Sequence, residues 1–99
     1  MQPMKPLMNA PQVLAPLDDF KMDGEYIDPH TGVALSYRYA TAHMAHYVAS
    51  KTNDKFIFGV LLIVICVRVD GKEVEVNEVM NMEALLFSKL LNLINRERN

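Results

Sequence analysis

The side chains that could do chemistry are few and scattered. His43 and His46 stand three residues apart, which makes them neighbours on one face of a helix. Such a pair can begin a metal site, but a zinc-type site needs a third and a fourth ligand. The remaining histidine, His30, falls in a turn-forming stretch, and the single cysteine, Cys66, lies inside an apolar run. A nucleophilic cysteine needs a partly exposed, electropositive setting, whereas Ile65 and Val67 flank Cys66 and point to burial. The acids Asp18, Asp19, Asp23, Glu25 and Asp28 crowd residues 18–28. Paired carboxylates divide acid and base roles only where a pocket drives their pKa values apart, and this stretch offers none. Gly24, Gly32, Gly59 and Gly71 are too far apart to form a phosphate-cradling loop. The expectation is a protein with no catalytic residues, no metal and no cofactor.

The elements around these residues read as a small α+β domain, predominantly α-helical. Asp28-Pro29-His30-Thr31-Gly32 is a turn sequence. After it, Val33, Leu35, Tyr37 and Tyr39 alternate with Ala34, Ser36 and Arg38 in the period-two pattern of a strand. Together they predict an N-terminal β-hairpin, residues 24–28 against 33–39, with a helix beginning near Ser36 as the competing reading. Thr41 is placed to cap a helix from Ala42 to about Ser50, with Met44, Tyr47 and Val48 as its apolar stripe.

No polar side chain interrupts Phe56 to Val67. That run falls well short of the ~20 residues a membrane-crossing helix needs. It reads as a second central helix buried on nearly every side, with helix or strand left open over residues 60–67. Asp70-Gly71 is a two-residue hairpin signal that would set Val69 opposite Lys72, Arg68 opposite Glu73, Val67 opposite Val74 and Cys66 opposite Glu75. A plain loop at 69–75 is the alternative. Asn77 is expected to cap a short turn, Glu78 to Met80, and Asn81 a C-terminal amphipathic helix. Its apolar stripe runs through Met82, Leu85, Leu86, Leu90, Leu93 and Ile94, widened by Phe87 and Leu91.

Length and composition bound the rest. Ninety-nine residues make one domain. The chain is 51% hydrophobic and 22% charged, which is ample for a packed core. A net charge of −2 and no basic excess disfavour nucleic acid. One cysteine excludes an internal disulfide and suits a reducing cytosol. Pro3, Pro6, Pro11 and Pro16 mark residues 1–17 as a Pro/Met-rich arm, expected to be flexible, ahead of a single domain over 18–99. The arm holds one lysine and no continuous apolar core, so it does not read as a secretory signal.

The order of elements carries a resemblance. A strand enters a Thr-capped helix (Leu35 to Ala42), and an apolar helix runs into a short Asp-Gly-Lys turn (Cys66 to Lys72). An acidic short segment and a leucine-rich final helix follow (Val74 to Leu86). Over about residues 24–95 this resembles the small tail assembly chaperones of long-tailed bacteriophages, many of which carry a proline where Ala40 stands. The resemblance implies a non-enzymatic factor acting in the host cell cytoplasm, self-associating as a homo-oligomer. It would bind the tape measure protein and bring in tail tube protein. A protein of this kind needs an apolar surface suited to helices, and methionines help such a surface adapt. Met82, Leu86, Phe87, Leu90 and Leu93 are the candidate partner-binding residues. The alternative is a small structural virion protein (connector, tail or baseplate component) whose residues 1–17 order on a neighbouring subunit.

Overall fold

The computed structural model describes residues 21–96, so the predicted arm at 1–17 lies outside the described residues. Among the described residues the fold is α+β: a four-stranded antiparallel sheet and four helices. The elements run β1 Gly24–Ile27, β2 Ala34–Tyr37, α1 Ala42–Ala49, α2 Lys55–Cys66, β3 Val67–Val69, β4 Lys72–Glu73, α3 Val76–Met80 and α4 Ala84–Ile94.

The first hairpin forms where the turn sequence places it, with Gly24 opposite Tyr37 and Ile27 opposite Ala34. Its loop is tied by Asp28. The Thr31 hydroxyl donates to Asp28 Oδ2 at 2.8 Å, the His30 N–H donates to Oδ1 at 3.2 Å, and the Gly32 N–H donates to the Asp28 carbonyl at 2.7 Å. The carboxylate is thereby buried with its acceptors used, as a buried charge requires.

Thr41 caps α1 through its Oγ1, which accepts from the Met44 N–H at 3.2 Å. Asp54 caps α2 in the same way, accepting from the Ile57 N–H at 3.0 Å. The open choice over residues 60–67 resolves as helix through Cys66, then strand from Val67. The second hairpin turns at Asp70-Gly71, whose φ values of 53° and 77° are the left-handed pair of a two-residue turn that a β-branched residue would resist. Arg68 faces Glu73 and Val69 faces Lys72 as the turn predicts. The ladder ends there. Cys66 closes a helix rather than facing Glu75, and no pairing continues to Val67 and Val74.

The two hairpins are not separate. β2 pairs with β3, setting Leu35 opposite Val69 and Tyr37 opposite Val67, so the strand order is β1-β2-β3-β4. The helical pair α1–α2 is the crossover inside that sheet. A two-stranded ribbon is marginal alone, and each hairpin here supplies the edge the other needs.

Two caps differ from expectation. Val76 and Asn77 are already helical in α3, which opens after Glu75, and the Glu78 carboxylate reaches back to accept from the Glu75 N–H at 2.9 Å. Asn81 ends α3, its side-chain amide donating to the Asn77 carbonyl at 2.8 Å, and Glu83 stands at the N-cap of α4. A reciprocal carboxylate-to-backbone arrangement competes well with a lone Asn cap.

The core gathers under the sheet around α2. Val48, Val60, Ile63, Cys66, Leu90 and Ile94 are fully buried. The end of α4 closes the other side: the Ala40 N–H donates to the Ile94 carbonyl at 2.8 Å, and the Arg96 guanidinium lies 4.5 Å from the Tyr39 ring centre.

Candidate functional site

α4 begins at Ala84. With 3.6 residues per turn, Leu86, Leu90 and Ile94 then fall on one line toward the core, and Phe87 and Leu91 fall beside them. The predicted partner-binding residues separate accordingly. Leu90 is fully buried, so it is a core residue and not part of an exposed stripe. Phe87 turns toward α2, its ring 5.4 Å from that of Phe56. The close approach there depends on Gly59, where a Cβ would lie 3.1 Å from Phe87 and 3.2 Å from Leu91. Leu93 is half-buried against the core. Met82 and Leu86, also half-buried, keep part of their surface. Leu85, assigned to the stripe by sequence, is 75% exposed. It shares its face with Lys89, one turn on, and not with Leu86.

Met82, Leu86 and Leu90 meet again in one place. They line an open cleft of about 200 Å³ together with Leu35, Ile63, Val67, Val69 and Val74, with Val33 and Thr31 at the hairpin loop. Ile63 and Leu90 form its buried floor, and Val33 is part of its exposed lip. Among the described residues, only Asp28 and Glu78 bring charge to the lining, and both are carboxylates. A second, more polar depression adjoins it and shares Asp28 and Leu86. Its lining includes Tyr26, Pro29, His30, Glu83, Leu85 and Lys89. Lys89 Nζ lies 5.8 Å from the Tyr26 ring centre, and His30 Nε2 is 3.7 Å from Glu83 Oε1, bridging the hairpin loop to the start of α4. Both members of that bridge are more than half exposed, so it is a surface contact of small energetic weight. The first cleft owes its shape to the β2–β3 pairing, which no local periodicity in the sequence could signal.

The titratable groups singled out for chemistry go elsewhere. His43 and His46 are both exposed on α1. Among the described residues, no three His, Cys, Asp or Glu side chains gather as metal ligands. Cys66 is fully buried, its Sγ 3.7 Å from Met44 Sδ. Burial pushes its thiol up to about 11, against a smaller downward pull from Arg38 and a further upward push from Asp23.

Sequence reasoning missed Arg38. Alternation sets it on the face opposite Leu35 and Tyr37 with Ala34 and Ser36, yet it follows the end of β2 and is only 7% exposed. Its Nη2–H donates to the Ile65 carbonyl at 3.2 Å, and its backbone N–H donates to the Cys66 carbonyl at 2.9 Å. Both acceptors are in the last turn of α2, which carries no basic residue of its own. A cation there meets the negative end of the helix and satisfies carbonyls that have no partner within it. Desolvation lowers the guanidinium pKa, Cys66 raises it, Arg68 lowers it and Asp23 raises it. The absence of a basic residue from the last turn of α2 was the available signal.

Among the described residues, no helix is long and apolar enough to cross a membrane. The fold and cleft define a small α+β domain with an apolar recess beside its C-terminal helix. Compared with known proteins, the chain matches no family model, no curated protein and no solved structure.

Proposed function

We propose that the protein is a non-enzymatic assembly chaperone of the bacteriophage-tail kind, binding the tape measure protein and aiding tail tube assembly in the host cytoplasm. The observation that carries this reading is the apolar cleft lined by Met82 and Leu86, with the exposed Leu85 on the adjoining depression. A recess of this size takes a large apolar side chain from a helix and releases it again, because one such anchor contributes only about 1.5–3 kcal/mol. The order of elements also supports it. A strand, the Thr41 cap, two helices, the Asp70-Gly71-Lys72 turn, a short helix and a final helix follow one another as they do in that class.

The test is co-expression with the tape measure protein of the phage that encodes this chain. The expected result is a soluble complex of the two where the tape measure protein alone aggregates. A tape measure protein that aggregates equally with and without the chain overturns the proposal. Retention of the chain in purified particles at fixed stoichiometry replaces it with the structural virion reading.

A further inference from the structure

We infer that the cleft accepts a segment of another protein in which a large apolar side chain stands next to Lys or Arg, so that shape and charge are read together. This deepens the binding reading above and rests on it. The apolar part follows from the lining: Ile63 and Leu90 below, and Leu35, Val67, Val74 and Leu86 around, leave room for an aliphatic or aromatic side chain.

The basic part follows from the rim. Asp28 and Glu78 are the charged residues of the lining, and both are negative. Around Glu78, the chain from 70 to 83 carries Asp70, Glu73, Glu75, Glu78 and Glu83 against Lys72 alone, and all of these side chains are exposed. Arg68 lies 4.0 Å from Glu73 and offsets that carboxylate, while Glu78 lines the cleft and Glu75 stands at the N-cap of the same helix. An acidic partner segment would meet like charge on this side, and a basic one meets opposite charge while its apolar group fills the recess. Lys89 lies in the adjoining depression over Tyr26, beside Glu83, and is not part of the cleft lining.

Two fluorescent 14-residue amphipathic peptides test this on the full chain, one of Leu and Lys and one of Leu and Glu, by anisotropy. The Leu/Lys peptide is expected to bind at least about tenfold more tightly than the Leu/Glu peptide, and to weaken as salt rises. Val33→Trp, at the exposed lip, narrows the mouth and should weaken Leu/Lys binding about tenfold. Glu75→Gln with Glu78→Gln removes charge while Gln still caps the α3 backbone, and should weaken it about threefold or more.

Equal binding of the two peptides overturns the inference. So does Leu/Lys binding that Val33→Trp leaves untouched, since the attraction would then be charge alone. A synthetic peptide of residues 1–17 that displaces the Leu/Lys peptide with higher affinity gives the cleft to this chain's own arm and overturns it. A dimer that Val33→Trp dissociates gives the cleft to a second copy, with the same consequence. Selective Leu/Lys binding by a chain that fails the tape measure test keeps this inference and removes the function. Success there with equal peptide binding does the reverse.

Discussion

Arg38 is where the energetics of the fold are most exposed to test. Its guanidinium is carried from water into the junction of β2 and α2, and it is held there by the Ile65 carbonyl and the negative end of α2. A hydrogen bond from a charged donor contributes about 1.5–3 kcal/mol. A partly buried cation at a helix C-terminus adds up to ~2 kcal/mol. Against these stands the cost of desolvating the charge, seen in the lowered pKa. Arg38→Met keeps the aliphatic stem and the backbone bond to Cys66, removes the charge and its hydrogen bond, and recovers that desolvation cost. The balance predicts a loss of about 1–3 kcal/mol, or roughly 5–20 °C in Tm for a domain this small. Arg38→Lys keeps the charge but not the planar fork, and should fall between. Urea unfolding followed by circular dichroism at 222 nm measures all three chains, with an unchanged m-value as the control for two-state behaviour. An Arg38→Met protein as stable as the parent, or more so, would refute the reasoning. It would mean that desolvation outweighs everything the guanidinium gains at the end of α2.

Three further outcomes follow from the packing of the domain. Gly24→Ala drives a Cβ into the end of the Tyr37 ring across the first hairpin, and should cost about 1 kcal/mol as that half-buried ring swings aside; thermal melts decide it, and an unchanged Tm removes the steric argument. Cys66 should resist Ellman's reagent at pH 8 until the chain is unfolded. Because its native pKa is raised from an ordinary 9.0 to about 11, its contribution to stability is full below pH 9 and lost toward pH 11, on the order of 3 kcal/mol, as pH-dependent urea melts would show. Leu85→Glu should change stability by no more than about 0.5 kcal/mol, and Leu90→Glu should unfold the domain, since a carboxylate there has neither water nor a partner. Comparable melts for the two variants would contradict the facing of α4.

What could be read from the residues is what local chemistry determines. The turn at Asp28-Pro29-His30-Thr31-Gly32, the Asp70-Gly71 turn with its Arg68–Glu73 register, and the Thr41 cap each depend on residues within a few positions of one another. The β2–β3 pairing depends on residues far apart in the chain, and each strand taken alone is consistent with a free hairpin. Arg38 illustrates the limit: alternation places it opposite the apolar face, but the strand ends at Tyr37 and the residue after it answers to the end of α2 instead. The candidate site was half legible. Met82, Leu86 and Leu90 do converge, though as the wall and floor of a recess rather than as an open stripe. Leu85 could have been set aside from spacing alone, because it stands one turn before Lys89. Phe87 could not, since only the glycine at position 59 of the facing helix shows where it packs.

The sheet order also bears on how the chain comes off the ribosome. β2 meets its inner neighbour only when Val67–Val69 has emerged, after the whole of α1 and α2 has been made. Until then the first hairpin is a two-stranded ribbon with Leu35 uncovered, and α2, apolar on nearly every side, has only α1 to lie against. The nascent chain therefore passes through an interval in which its most apolar segments are both present and only partly covered. That interval narrows when the second hairpin pairs with β2 across the middle of the sheet, and ends only when α3 and α4 cover the rest of α2.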